Sequence, residues 1–181
     1  MSNEFIPFKE PEIEAMVSEA VEKFFSVMLD WPVECVGSRE GQTADFDDLD
    51  APPPPVLESD ETIVVGMVGF IGALSGVLNI HLKESLALDV TSNFLGMTLE
   101  EINEEGVEVV NDALGEMGNM VGGTFKNSLC DSGYDCRMTL PSILRGRNFT
   151  IETPSGVFRR IYDFKTLDRV FSADLTIKPG E

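Results

Sequence analysis

Residues 62–82, TIVVGMVGFIGALSGVLNIHL, contain two apolar segments with a short glycine-bearing stretch between them. The segments 62–70 and 77–82 are rich in β-branched residues, which favour strands. The intervening IGALSG permits a turn, so the stretch predicts a β-hairpin. Alternation in the second strand predicts one buried face and one more polar face. The buried set is Leu78, Ile80 and Leu82, and the other set is Val77, Asn79 and His81.

Helical patterns lie on both sides of this hairpin. Apolar residues recur at helical spacing over 11–29, where Pro11 suits the first turn. A short helix is expected at about 84–95. The acidic residues 100–105 are expected to form a turn, or the first turn of a helix, ahead of a long helix over about 110–128.

The chain after Gly133 returns to strand patterns separated by proline and glycine turns. The elements therefore follow the order helix, hairpin, two helices and a run of strands, without the βαβ alternation of a parallel sheet. This order predicts the α+β class, with a mostly antiparallel sheet packed against helices. The expected strands in this run are about 135–143, 147–152, 157–164 and 169–177.

The composition bounds the class of protein. A chain of 181 residues with 43% hydrophobic content suits a single domain over residues 1–181. Residues 37–61 are acidic and contain four successive prolines, which predicts a loop. No apolar run reaches about 18 residues and the first residues lack a signal-peptide pattern, so we expect no membrane span and a cytoplasmic location. The net charge of −19 argues against a nucleic-acid partner.

Histidine and cysteine are too sparse for several common kinds of site. His81 is the only histidine and lies in a strand pattern, which indicates a structural residue with satisfied hydrogen bonds. A histidine triad and a histidine-rich zinc site are therefore excluded, and we expect no metal site. Cys130 and Cys136 could form a disulfide, but reduced thiols are the expectation for a cytoplasmic protein.

The predicted long helix has a distinct polar face. On a helical wheel, Asp112, Glu116, Asn119, Gly123 and Lys126 lie within about 40° of one direction. Because Gly123 has no side chain, another molecule could reach the acid and the amide beside it. The opposite, apolar side predicts a core face, and its residues are Val110, Leu114, Met117, Val121, Phe125 and Ser128.

Three further glycines lie on one flank of this helix, between its two faces. Small side chains at Gly115, Gly118 and Gly122 predict the close approach of a neighbouring helix.

Glu116 and Asn119 could also be plain solvated residues. A glutamate followed three positions later by an asparagine occurs by chance on the order of once in one or two chains of this length.

The frame D112-xxx-E116-xx-N119-xxx-G123 resembles the active helix of the CheX branch of the CheC/CheX/FliY phosphatases of bacterial chemotaxis. Four further segments resemble that family in order and spacing. The resemblance covers roughly residues 62–178 and extends more loosely to the first helix. The four segments are GMVGFIGALSGVLNIHL, ESLALDVTSNFLGM, EEINEE and SGYDCRMTLPSILRGRNF.

The resemblance implies removal of phosphate from the phosphoaspartate of a CheY-like response regulator. Asn119 would orient the attacking water, because an amide offers both a donor and an acceptor. Glu116 would pair with a lysine of the regulator's active site. Asp112, Gly123 and Lys126 are expected at the edge of the contact. No cofactor of the protein's own is implied, since Mg²⁺ is expected on the partner regulator.

Two other functions remain open for a chain of this kind. It could bind a regulator without hydrolysing anything, or it could be a component of a flagellar switch with the same fold.

One site per chain is expected, because the first helix has Glu19 and Glu22 but no asparagine at the required spacing. The resemblance also implies a homodimer formed through the sheets, for which the strands at 157–164 and 169–177 are the expected edges.

Overall fold

The computed structural model describes residues 6–43 and 54–180, and its helices pack against one face of a sheet. None of the helices in this described part is both long and apolar enough to cross a membrane. The helices are α1 (Glu10–Met28), α2 (Glu84–Leu95), α3 (Leu99–Glu105) and α4 (Val107–Asp131).

Seven strands of the described part form one sheet, and every pairing in it is antiparallel. The order across the sheet is β1-β6-β7-β3-β2, and both β4 and β5 pair with the outer edge of β2. The α+β class predicted from the order of the elements is confirmed. The strands are β1 (Glu34–Glu40), β2 (Ile63–Gly72), β3 (Leu74–Lys83), β4 (Cys136–Met138), β5 (Ser142–Gly146), β6 (Phe158–Thr166) and β7 (Arg169–Pro179).

The hairpin of β2 and β3 forms as predicted and lies near the middle of the sheet. Its register runs from the pair Ile63–Lys83 to the pair Phe70–Gly76. One face of the hairpin enters the main core, where it meets the apolar side of α4. The core residues on this face include Val64, Val68, Leu78, Ile80 and Leu82, each at most 3% exposed.

The predicted strands after α4 are only partly correct. Residues 147–152 are not a strand, because Asn148 has a positive φ of 50° that turns the chain out of the extended conformation. The segment 135–143 is divided by Thr139, Leu140 and Pro141 into the short strands β4 and β5. Proline lacks the N–H that a continuous strand would donate to its neighbour.

The edge strands of the sheet also differ from the prediction. The strands predicted as edges, 157–164 and 169–177, correspond to β6 and β7, which are both paired on their two sides. The edges in the described part are instead β1 and the outer edge formed by β4 and β5. The sequence analysis missed β1, whose residues ECVGSRE are mostly exposed and carry little apolar alternation.

The loop predicted at residues 37–61 is wrong at its beginning, since residues 37–40 belong to β1. Residues 44–53 lie outside the described part of the chain. Residues 54–59 cover the face of the sheet opposite to the helices, where Val56 is buried and its carbonyl oxygen accepts a hydrogen bond from Arg39 Nη2 at 2.5 Å. This segment therefore contributes to a second buried layer.

Polar side chains occupy much of that second layer. Asp174 is fully buried and accepts two hydrogen bonds from Arg159, Nε to Oδ1 at 3.0 Å and Nη2 to Oδ2 at 2.8 Å. Arg159 Nη1 also donates to the carbonyl oxygen of Gln42 at 2.7 Å. Asn79 and His81 are nearby on β3 and only 3% and 2% exposed. The more polar face predicted for β3 is thus buried as well.

The acidic residues 100–105 form most of α3, a separate helix rather than the first turn of α4. A capping box begins α3, in which Thr98 Oγ1 accepts from the Glu101 backbone N–H and Glu101 Oε2 accepts from the Thr98 backbone N–H. The hydrogen bond from the Thr98 backbone N–H to Oε2 favours the ionised carboxylate and lowers the pKa of Glu101. Gly106 separates α3 from α4 with φ 89°, a conformation that favours glycine.

Candidate functional site

The two faces of α4 are arranged as the helical wheel predicts. Asp112 and Glu116 are exposed, while Asn119, Gly123 and Lys126 are half-buried at the same side of the helix. The predicted core residues of α4 are each at most 3% exposed, except for the half-buried Ser128. The buried set is Val110, Leu114, Met117, Val121 and Phe125.

The carboxylates and the amide on this face have no partner within the described part of the chain. No side-chain hydrogen bond or ion pair there engages Asp112, Glu116 or Asn119. The amide atoms of Asn119 lack a hydrogen-bond partner there but are not fully buried, so water reaches them. Because residues three apart on a helix are neighbours at about 5–6 Å between Cβ atoms, Glu116 and Asn119 can contact one bound molecule together.

Gly123 and Lys126 border this pair differently. A Cβ atom at Gly123 would lie 3.7 Å from Met138 Sδ, an ordinary van der Waals distance, so this point of the helix surface has room for a small group without displacing its neighbour. Lys126 Nζ donates to Asn127 Oδ1 at 3.0 Å. Lys126 is therefore engaged within the helix and is less available than the acid and the amide.

The glycine flank of α4 packs against the sheet and not against a helix, so the predicted neighbour is wrong. A Cβ at Gly122 would lie 2.6 Å from Val68 Cγ1, which shows how closely α4 approaches β2. Positions for a Cβ at Gly115 and Gly118 lie 3.8 and 3.9 Å from the ring of Pro141. The flank therefore holds α4 at a fixed distance from β2 and from the connection between β4 and β5.

Arg145 on β5 also fixes α4, and the sequence analysis did not identify it. Its Nη1 donates to Glu84 Oε1 at 2.8 Å and its Nη2 donates to Asn111 Oδ1 at 3.2 Å. These bonds join β5, the start of α2 and the first turns of α4, close to Glu116 along the helix. The sign of this role in the sequence is the single arginine among the apolar residues of the segment SILRG.

The connection between β4 and β5 forms the border of the site beside the glycine flank. Thr139 is held to β2 by two hydrogen bonds, from its N–H to Gly69 O at 2.9 Å and from Gly69 N–H to its Oγ1 at 3.0 Å. Pro141 faces the glycine flank of α4, where Cβ atoms at Gly115 and Gly118 would come within 4 Å of its ring. Leu140, between these two fixed residues, is 89% exposed. The sequence analysis gave Leu140 no role.

Cys136 and His81 are poorly suited to act as a nucleophile or a base. The three cysteines are free thiols, and burial, together with the neighbouring Cys130, raises the pKa of Cys136 to about 11, so this thiol stays protonated near neutral pH. His81 is buried on the opposite face of the sheet, where burial lowers its pKa to about 4. Its Nε2 has no hydrogen-bond partner, contrary to the satisfied histidine that we expected.

A carboxylate and an amide on a helix surface can bind a cation and orient a water molecule. An amide donates and accepts hydrogen bonds without titrating, so it can fix the orientation of a water at any ordinary pH. In the described residues, no three histidine, cysteine, aspartate or glutamate side chains are grouped to hold a metal ion. Glu116 and Asn119 can therefore position a water molecule or a charged group that comes into contact with α4.

Fold and site together define a class of protein, an α+β scaffold whose long helix carries a carboxylate and an amide without a partner in the described part of the chain. Residues 64–165, more than half of the chain, match the model of the family described as chemotaxis phosphatase CheX. The chain therefore belongs to the CheX family, as the resemblance of its motifs predicted.

The chain is also similar to individual proteins, one by its sequence and two by their fold. The chain is 27% identical to the CheY-P phosphatase CheX of Thermotoga maritima over 118 residues, which are 65% of this chain and 73% of the relative. The crystal structure of chemotaxis protein CheX from Vibrio vulnificus has a TM-score of 0.72 at 24% identity and covers 92% of this chain and 99% of that one. The CheX–CheY–BeF3–Mg²⁺ complex from Borrelia burgdorferi has a TM-score of 0.65 at 23% identity, covering 92% and 97%.

Proposed function

We propose that this protein is a phosphatase that hydrolyses the phosphoaspartate of a CheY-like response regulator. The observation that carries the proposal is the unpaired pair of Glu116 and Asn119 on a helix that is fixed on its other sides. Membership of the CheX family and the name of the Thermotoga relative support it. A cytoplasmic location is part of the proposal, because such a regulator would have to be met there.

Hydrolysis of a phosphoaspartate requires the phosphatase to do little more than position the attacking water. A phosphoaspartate is an activated acyl phosphate, so a water placed in line can attack phosphorus, break the bond to the aspartyl oxygen and release inorganic phosphate. Asn119 would hold that water by accepting a hydrogen bond from it or by donating one to its oxygen. Asn119 is not a general base, because a carboxamide does not take up a proton near neutral pH.

Glu116 would fix the register of docking by pairing with a lysine of the regulator. Asp112, Gly123 and Lys126 would border the contact, with Gly123 leaving room for the partner's backbone or side chains. Mg²⁺ would come with the regulator, and the presence of CheY, BeF3 and Mg²⁺ in the Borrelia complex supports this assignment. The protein would need no cofactor of its own.

The direct test is phosphate release from response regulators of the source organism, each labelled on its aspartate, with and without this protein. The proposal expects faster release from at least one of them. Binding without acceleration would contradict it and would instead identify a regulator-binding module. Neither binding nor acceleration with any regulator would leave the flagellar-switch alternative.

Glu116→Lys is expected to weaken binding of the regulator by tenfold or more, because a lysine would face the lysine of the partner and like charges across an interface cost several kcal/mol. Titration calorimetry with a regulator activated by BeF3⁻ measures the change in Kd. Glu22→Lys on α1 makes the same change of charge at another exposed position and serves as the control. Equal affinities of both variants would show that Glu116 is only a solvated residue.

We also propose a two-fold symmetric homodimer formed through an edge of the sheet, with both α4 faces left free. The outer edge of β1 has unpaired backbone groups in the described part, and Val36 on it is 51% exposed. Sedimentation equilibrium at micromolar concentration should give about 40 kDa, twice the 19.9 kDa of one chain. A mass of 19.9 kDa at every concentration would contradict the dimer.

A further inference from the structure

Leu140 is the most exposed large apolar side chain in residues 6–43 and 54–180, with 89% of its surface open to solvent. Isolated exposed apolar residues are ordinary and need no function. Leu140 differs because its backbone is held on both sides, by the hydrogen bonds of Thr139 to Gly69 and by the pairing of Ser142 on β5 with Met67 on β2. An apolar side chain presented by a fixed backbone loses little conformational entropy when a partner covers it.

The position of Leu140 connects it to the proposed site. Cβ atoms built at Gly115 and Gly118 of α4 would lie 3.8 and 3.9 Å from the ring of Pro141, and these glycines directly precede Glu116 and Asn119. A standard interface buries about 800 Å² per partner, an area that extends roughly 16 Å from its centre. Consecutive Cα atoms are about 3.8 Å apart, so a partner centred on Asn119 would reach Leu140.

We propose that Leu140 is an apolar anchor for the response regulator, inserted into an apolar depression at the edge of the regulator's phosphorylated site. This proposal rests on the function proposed above. The two parts of this chain's contact surface then have different roles. The carboxylate and amide of α4 contact the polar centre of the interface, and Leu140 excludes water at its border. Anchors of this kind carry much of the free energy of binding in protein interfaces.

The charge of the surroundings favours a regulator over a second copy of this chain. A second copy of this chain would bring its own strongly negative charge against a surface on which Asp112 and Glu116 are already exposed. The chain already carries a net charge of −19, so such a contact would bring like charges together. A partner that presents a lysine to Glu116 avoids this repulsion.

The test compares Leu140→Ser with Leu167→Ser. Leu167 is 51% exposed in the turn between β6 and β7, at the end of the sheet opposite to the β2–β3 turn that lies near Thr139. Leu140→Ser should raise KM about tenfold with an unchanged kcat, because it removes burial of one leucine side chain on binding. Leu167→Ser should change neither, and Leu140→Met should retain most of the affinity.

Binding of the regulator is measured separately from hydrolysis, so that the anchor role of Leu140 and the phosphatase function are tested independently. The Kd for a regulator activated by BeF3⁻ should rise about tenfold for Leu140→Ser even if no hydrolysis is detected with the wild type. An unchanged Kd, or a fall in kcat at constant KM, would overturn the anchor. A change in sedimentation mass with unchanged Kd would also overturn it, because Leu140 would then contact a second copy. The melting temperatures of all variants check that folding is intact.

Discussion

Replacing Asn119 by alanine is expected to reduce the acceleration of phosphate release by 100-fold or more, while the Kd for the regulator changes little. Loss of one group that positions a reactant or its transition state commonly has an effect of this size. The helix itself should tolerate the change, since alanine has a higher helix propensity than asparagine and the Asn119 side chain makes no hydrogen bond in the described part of the chain. Single-turnover release of labelled phosphate measures the rate.

The matched control is Asn103→Ala, which removes an exposed asparagine from α3. This variant should retain the rate of the wild type. Asn119→Asp adds a second test, because a carboxylate keeps the shape of the amide but loses its donor and carries a charge toward the phosphoryl group. We expect this variant to be inactive as well. A wild-type rate in Asn119→Ala would remove the water-positioning mechanism.

The largest effect on stability is expected at Asp174. Asp174→Ala leaves the guanidinium of Arg159 buried without its carboxylate, and breaking a buried ion pair in this way costs about 3–5 kcal/mol. Arg159 is only 5% exposed, so water cannot readily replace the lost partner. The free energy of unfolding, measured by urea denaturation, should fall by that amount.

Two further variants separate the charge from the packing. Replacing both members by apolar residues, Arg159→Met with Asp174→Leu, should destabilise less than Asp174→Ala alone, because no unpaired charge remains. Lys165→Ala removes the exposed pair of Lys165 and Asp168 and should change stability by about 0–1 kcal/mol. A loss of less than about 1 kcal/mol for Asp174→Ala would contradict the role of the pair.

The elements with strong periodicity could be predicted from the sequence. The hairpin and α4 have apolar residues at the spacing of their own secondary structure, so their positions and core faces follow from local pattern. The polar face of α4 was visible for the same reason. The roles of Glu116 and Asn119 remain a proposal, because periodicity shows where side chains lie but not which molecule they meet.

The parts that depend on distant contacts could not be predicted. The glycines of α4 face Val68 and Pro141, which are far from them in sequence, whereas small residues on the flank of a helix predict a neighbouring helix. In residues 6–43 and 54–180, β1 pairs with no strand but β6, more than 100 residues later, and its exposed residues give almost no apolar signal. His81 became buried because residues 54–59 and 147–152 fold over its face of the sheet.

The position of β7 in the middle of the sheet has a consequence for biosynthesis. The pairing of Leu74 with Pro179 joins β3 to the strand that leaves the ribosome last among those described. At roughly 5–20 residues per second, the inner edge of β3 waits on the order of five to twenty seconds for its partner. During that time its apolar face and unpaired edge are open to chaperones and to other nascent chains, so the nascent sheet is vulnerable to aggregation until the final strand is inserted.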